Sequence, residues 1–462
     1  MRWIRVCENA PYFEDEENII WTPIGQNDAL TWPDLKGLFL RKNVEEVEGH
    51  FAFLHRHGVN CIRIMLEYCQ TENRYLEKPV GSFQKNMVQF WDDFFSLCEK
   101  YKIRVLLTPY DTFWMARRWG HHPYNAKNGG PSKSKWQWLS SPDTIQAVKN
   151  RFTFAIERWG GSGVIFGWDL WNEIHPKHAG KSIEVLSVFV DAISAHIRSV
   201  EMELYGKTHL QTVSVFAPDL FLPGMMPLAF SHPKLDFATT HFYEKGTINS
   251  PRTTVSPALT TGNMVRHALS HVPENRPFFD SENGPIDYFK RHRQSMAEAF
   301  DDGYFLHMQW AHFASGAAGG GMRWPYRHPH VLTHGMRRAQ LNLAMFAELV
   351  DWQKFDRKNL NEEIEISYSD IHVFGCGNSS QVILWLLKSS SKKSTNRTIR
   401  VCEKDPYIVS IPGLKNGVYH VLFWDTLTGK TDEQTLEKAG DTLKISVRFN
   451  NGNVAIFVKA AH

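Results

Sequence analysis

Asn172 and Glu173 stand side by side at the end of an apolar run, "GVIFGWDLWNEIHP" (163–176), and Glu282 closes a second one, "PFFDSEN" (277–283). An amide and a carboxylate at the end of a segment that otherwise reads as core call for a reason. Two carboxyl groups brought face to face can break a glycosidic bond: one protonates the leaving oxygen, and the other attacks the anomeric carbon or activates water against it. One isolated glutamate would as readily cap a helix or join an ion pair. The elements that carry the two residues therefore decide between the readings.

Eight short β-branched or apolar runs alternate with amphipathic segments. They lie at 21–27, 59–66, 104–111, 164–172, 212–216, 237–243, 277–283 and 316–324. Between the first two, "NVEEVEGHFAFLHRHG" carries apolar residues at steps of three and four, acidic residues early and Gly58 as a stop. Eight strand–helix cycles predict a closed (β/α)8 barrel over residues 1–360, and no G-x-G-x-x-G follows the first strand to support a dinucleotide fold. In such a barrel the functional groups sit at the C-terminal strand ends, which places Asn172 and Glu173 after the fourth strand and Glu282 after the seventh. Adjacent residues of a regular strand point to opposite faces, so Asn172 and Glu173 can share the cleft only if the backbone departs from β geometry there. His241 and Tyr243, two apart on the sixth strand, share a face.

Other acids compete for attention. Asp280 has the strand parity of Glu282 and is its rival as the attacking group, whereas Asp169 sits deeper and reads as an internal hydrogen-bond acceptor. Glu67 and Asp111 end the second and third strands and are candidates either for holding sugar hydroxyls or for salt bridges. The segment from Thr112 to about Pro142 is long for a loop in a compact domain and is expected to shape the cleft.

From about residue 361 the helical period disappears. "DIHVFGCG", "QVILWLLKSSS", "TIRVCEK", "YIVSIPG", "GVYHVLFWDTLTGK", "TLKISVRF" and "NVAIFVKA" read as short strands separated by turns, a β-sandwich over 361–462, with "SSSKKSTN" (389–396) as a surface hairpin loop. The sandwich is expected to pack on the barrel as a structural partner; a carbohydrate-binding module is the other reading.

A formal charge of +3 without a Lys/Arg stripe argues against a nucleic-acid partner, and no run approaches the ~18–20 apolar residues of a membrane span. The 16 Trp, 14 Tyr and 30 Phe include several beside polar groups, as in "FWMARRWGHHPYN", where flat rings could stack on sugars. Six cysteines, at 7, 61, 69, 98, 376 and 402, show no C-x-x-C pair and read as reduced core thiols. His121, His122, His328, His330 and His334 match no zinc spacing, so neither a metal nor another cofactor is expected. Acidic residues arrive too early at the N-terminus for a signal peptide, so a cytoplasmic location is expected if the chain is complete, and a secreted or periplasmic one if a leader has been removed.

The strand-end tokens "W-N-E", "H-F-Y", "E-N-G" and "R-W" together resemble the clan A retaining glycoside hydrolases, most closely family 5 of the β-mannanase and β-glucanase type, over roughly residues 20–350. The resemblance implies that Glu173 is the general acid/base and Glu282 the nucleophile. It further implies that Asn172 bonds the sugar 2-hydroxyl, that Arg63 holds the nucleophile ionised, that His241 and Tyr243 are the sixth-strand pair with Tyr243 donating to Glu282, and that Trp324 floors the subsite of the reacting sugar. Family members often carry a histidine after the third strand; here "TPYDTFW" follows, so either Tyr110, Asp111 or Trp114 serves there or the pocket differs. An ionised Glu282 is expected to raise the pKa of Glu173 by repulsion and keep it an acid. The implied substrate is a β-linked oligo- or polysaccharide, with an exo-acting β-glycosidase and a non-catalytic sugar-binding barrel as alternatives.

Overall fold

The structure is a computed structural model describing residues 1–67, 74–292, 295–326, 330–389, 406–449 and 451–461. "TIRVCEK", most of "SSSKKSTN", His328, Cys69 and Cys402 lie outside the described residues.

A hairpin, β1 (Ile4–Val6) and β2 (Phe13–Asp15), precedes the barrel and has no counterpart in the sequence reading. Its Phe13 is fully buried, with ring centroids 6.0, 5.6 and 6.3 Å from those of Phe166, Phe237 and Phe279. It closes the end of the barrel from which the strands start. The barrel strands are β3 (Gly25–Asn27), β4 (Cys61–Met65), β5 (Arg104–Thr108), β6 (Ile165–Asp169), β7 (Leu210–Thr212), β8 (Ala238–Phe242) and β9 (Phe278–Asn283), paired in parallel order from β3 to β7 and from β8 to β9. Every residue of these seven strands is buried, as strands packed on both faces must be.

The expected eighth strand is the main departure. Gly319 (φ 130°) and Gly321 (φ 75°) interrupt the 316–324 run, and the ring closes through single parallel bridges from Arg323 to Gln26 on one side and Asn283 on the other. A further bridge, Phe216 to His241, joins the edge after β7 to β8. The helices are α1 (Pro33–Lys36), α2 (Val44–Arg56), α3 (Lys85–Lys100), α4 (Thr112–Arg117), α5 (Pro142–Trp159), α6 (Ile183–Tyr205), α7 (Met225–Phe230), α8 (Val255–Leu269), α9 (Ile286–His292), α10 (Glu298–Ala314) and α11 (His334–Ala347). Among the described residues no helix is long and apolar enough to cross a membrane.

Beyond α11 the strands are β10 (Lys358–Asn359), β11 (Glu365–Ile366), β12 (Ile371–Gly377), β13 (Gln381–Lys388), β14 (Tyr407–Pro412), β15 (Gly417–Trp424), β16 (Thr431–Lys438), β17 (Thr442–Val447) and β18 (Asn453–Ala460). They form two antiparallel sheets, ordered β10-β12-β13-β18-β15-β16 and β11-β14-β17. Strand β13 shows why "QVILWLLK" is apolar throughout. Val382, Leu384 and Leu386 face the sandwich core, whereas Ile383, Trp385 and Leu387 join the core shared with barrel helices. Strand β18 divides in the same way, with Ala455 and Phe457 toward the barrel. Phe346 of α11 meets Trp424 and Phe457 with centroids at 5.7 and 6.3 Å, so the sandwich is packed on the barrel.

Candidate active site

Arg63, on β4, is wholly buried and organises the C-terminal rim. One terminal nitrogen donates to Asn27 Oδ1 (2.9 Å) and Glu282 Oε2 (3.0 Å), and the other to Asp169 Oδ2 (2.9 Å) and Asn172 Oδ1 (2.5 Å). A guanidinium is suited to this because its donors are planar and fixed, so one residue can aim four acceptors at once. Ser214, which the sequence reading did not single out, extends the network. Its hydroxyl donates to Asp169 Oδ2 (2.7 Å) and accepts the backbone N–H of Glu173 (3.1 Å).

Glu173 has φ 49°, in the left-handed region, where few non-glycine residues sit without support. This is the expected break in strand geometry, and the Ser214 hydroxyl is what holds its N–H. Consequently Asn172 turns toward Arg63 and Asp111, while Glu173 reaches the cleft. Glu173 Oε1 lies 2.8 Å from His241 Nδ1, which is 3.8 Å from Glu282 Oε2. One oxygen from each carboxyl and a ring nitrogen of His241 all lie within 4.8 Å of one another. On the far side Tyr243 donates to Glu282 Oε1 (2.7 Å). The pairing of β8 with β9 shifts register between Thr240 and His241, which sets His241 opposite Glu282 and leaves Ser281 as the extra residue. Gly284 follows at φ 152°, where a Cβ would lie 2.8 Å from the Tyr326 ring, so only glycine fits beneath that aromatic.

Burial raises the Glu173 carboxyl to about 7; Asp219 and Asp169 add to the rise, and Arg63 and Lys290 oppose it. The expectation that an ionised Glu282 raises Glu173 by repulsion is thus corrected: loss of water is the largest cause, and the repelling acids are Asp219 and Asp169. Glu282 is also raised, first by burial and then by Glu173, but His241, Arg63 and Tyr243 all favour its charged form. Of the two, Glu282 has the stronger support as an anion: a guanidinium nitrogen at 3.0 Å and a phenol at 2.7 Å. Burial lowers His241 to about 4, so it stands between the carboxyls as a neutral imidazole. Burial also holds the Tyr243 phenol well above its ordinary range, leaving it a donor.

A cavity of about 450 Å³ opens above these groups. Glu173, Glu282, Asn172, Tyr243, Trp324, Asp111 and Trp114 line it, joined by Thr112, Phe113, Phe216, Asp219, Lys177, Lys290 and Tyr326. Arg63 lies beneath, out of contact with the opening. Asp111 differs in surroundings from a free sugar-binding acid. It caps α4, accepting from the N–H groups of Phe113 (3.0 Å) and Trp114 (2.8 Å), and it takes a bond from Asn172 Nδ2 (3.0 Å). Its carboxyl is raised to about 6, chiefly by burial. The 112–142 segment shapes the cleft through α4, whose Thr112, Phe113, Trp114 and Arg117 form one wall.

The rival acids fall elsewhere. Asp280 is fully buried, accepting from the N–H groups of Phe242 and Glu282 and the amide of Asn283, with His312 Nε2 at 2.9 Å. Asp169 is the internal acceptor expected of it. Glu67 pairs with Arg151 (2.9 Å) away from the cavity, so its salt-bridge reading holds. Two groups among the described residues bring three metal-ligating side chains together: the cleft trio of Glu173, His241 and Glu282, and a separate one of Asp28, Asp34 and His50.

A parallel barrel whose strand ends bring two carboxyl groups together over a sugar-sized, aromatic-walled cavity defines the class: a (β/α)8 glycoside hydrolase. The family model described as Cellulase (glycosyl hydrolase family 5) matches residues 29–314, and the chain belongs to that family, a retaining one of clan A. Solved structures agree on the fold. One named "Glycoside hydrolase" aligns over 99% of this chain and 97% of its own, at 13% identity and a TM-score of 0.59. An exo-beta-1,4-mannosidase from Opitutaceae bacterium strain TAV5 aligns over 74% of this chain and 62% of its own, at 17% identity and 0.55. A family 5 mannosidase from Rhizomucor miehei aligns over 76% and 98%, at 14% identity and 0.53. A sequence search of curated proteins finds no match.

Proposed function

We propose that the protein hydrolyses a β-linked oligo- or polysaccharide of the mannan or glucan type by double displacement, with Glu282 as nucleophile and Glu173 as general acid/base. The observation that carries this reading is the proximity of the two carboxyl groups, which have oxygens within 4.8 Å. Retaining enzymes set their carboxyls at about 5–5.5 Å, while inverting ones leave about 6.5–9.5 Å for a water. Glu282, held by Arg63 and Tyr243, attacks the anomeric carbon as Glu173 gives its proton to the leaving oxygen. Once Glu282 is esterified its charge is gone, the Glu173 proton is held less tightly, and the same group takes a proton from the incoming water. Asn172, turned by Arg63 and Asp111, offers its amide to the sugar 2-hydroxyl, and Trp324 and Trp114 supply flat faces for the rings.

A second reading, exo action on short β-glycosides, has an observation of its own. The cavity of about 450 Å³ lies within the range of ~300–1,000 Å³ typical of small-ligand sites, room for a few sugar rings. Two of the folds it resembles are named mannosidases, so β-mannosides head the substrates to try. Hydrolysis of a panel of aryl β-glycosides and of mannan and glucan, with product lengths measured, tests both. Single sugars released from chain ends support exo action, mixed oligosaccharides support endo action, and no hydrolysis of any β-glycoside contradicts the proposal.

A further inference from the structure

A second cluster of ligating groups stands on the same rim, outside the cavity lining. Asp28 follows β3 directly and is 3% exposed. Its Oδ1 accepts the N–H of Ala29 (2.7 Å), but its Oδ2 is buried without a hydrogen-bond partner. Asp34 of α1 and His50 of α2 face it, so that one ligand atom from each of the three lies within 4.8 Å of the others. His50 Nε2, 3.6 Å from Asp34 Oδ2, is likewise buried and unpartnered. Arg337 is close enough to act on both acids, yet its terminal nitrogen donates to Gln26 and Gln340 side chains. Asp28 Oδ2 and His50 Nε2 are thus two buried ligand atoms, set close to Asp34, that no protein group hydrogen-bonds. Such a buried acceptor is strongly unfavourable unless something is bound to it.

We propose that Asp28, Asp34 and His50 form a binding site for a divalent cation of the Mn²⁺ or Zn²⁺ kind. Carboxylate oxygens with one imidazole suit these ions better than the all-oxygen sets of calcium. The three ligands come from the loop after β3, from α1 and from α2, so the ion ties these three elements together. Trp32 lies within that loop. Its ring meets Trp324 edge-on at 4.9 Å and stacks on His330 at 4.8 Å, so fixing the loop backs the aromatic wall of the cavity.

The test uses the full chain stripped with chelator and titrated calorimetrically with Mn²⁺ and with Zn²⁺. The expected result is one ion per chain, with melting temperature rising by roughly 2–5 °C at an ion concentration about a hundredfold above Kd. Binding is lost in Asp34→Asn and in His50→Gln but kept in Glu173→Gln, which disables the cleft trio. No saturable binding, binding that survives both ligand variants, or binding lost in Glu173→Gln overturns the proposal. So does a wild type indifferent to metal whose Asp28→Asn variant melts higher, since a proton shared between the two acids then fills the gap. If the ligand variants fail to fold, X-ray absorption on Zn²⁺-loaded Glu173→Gln protein decides. One imidazole with oxygens at ~2.0–2.2 Å supports the site, and an all-oxygen or sulfur shell overturns it.

Discussion

The protonation of Glu173 is set by charges that can be removed singly and with opposite sign. Glu173 must carry its proton to serve as an acid, so kcat/KM on a substrate with a poor leaving group falls as pH rises through about 7. Asp219 favours the protonated form and Lys290 the ionised one. Asp219→Asn therefore moves the alkaline limb to lower pH, and Lys290→Met moves it to higher pH. A unit charge about 10 Å away contributes between ~0.4 and ~1.7 kcal/mol for effective dielectric constants of ~80 and ~20, which is about 0.3 to 1.2 on the pH axis. The assay is kcat/KM between pH 5 and 9 at low ionic strength for both variants and wild type, repeated with added salt, which shrinks both displacements. The height of the profile can change because both residues line the cavity; the position of the limb is the readout. Limbs that stay together, or that move in the same direction, refute the reasoning.

Glu282→Ala is expected to abolish turnover with the fold intact by circular dichroism, and added azide to restore product as a glycosyl azide of inverted configuration. Rescue of Asp280→Ala together with a well-active Glu282→Ala contradicts the assignment. Glu173→Ala should lose ~10²–10⁴-fold on natural linkages but retain the first step on dinitrophenyl glycosides, and equal losses on both remove Glu173 from the acid role. Tyr243→Phe deletes a charge-assisted bond at 2.7 Å, so kcat/KM should fall roughly 10- to 150-fold, corresponding to about 1.5–3 kcal/mol; an unchanged rate contradicts the support of Glu282 by Tyr243. Truncation near residue 357 uncovers Phe346 and its neighbours, and the shortened chain should aggregate or melt well below the full one. A truncated barrel equally stable but weaker only on polymer indicates a binding module instead.

The carboxyls were legible because a strand that turns polar at its C-terminal end is a local pattern, and so was the backbone break at Glu173, since adjacent residues cannot otherwise share a cleft. The pairing of Glu282 with Arg63 and Tyr243 came from the family resemblance, and what escaped were other contacts between residues distant in sequence. Ser214 gives no local signal, because its hydroxyl matters only after β7 is laid beside β6. Asp280 and Glu282 are alike in strand parity and are separated only by the register shift opposite Thr240 and His241. The hairpin at residues 4–15 is too short to show a period, and its Phe13 acquires a role only when three strand phenylalanines converge on it. The glycine-rich 316–324 run reads as a strand by its place in the cycle; Gly319 and Gly321 adopt conformations that break a ladder, and closure at this edge survives through the bridges of Arg323 and the backbone bonds of Ala318 and Met322 to β9. Strand β13 was legible as strand but not as interface, since an apolar run does not say which faces it buries.

Double displacement at Glu282 is tested most directly by the configuration of the first-formed sugar. Proton NMR of the anomeric signals during early hydrolysis of a β-glycoside should show the β-anomer first, with the α-anomer growing in only at the rate of mutarotation. Initial appearance of the α-anomer would mean that water attacks directly, and it would contradict the reading of two carboxyl groups within 4.8 Å as nucleophile and acid.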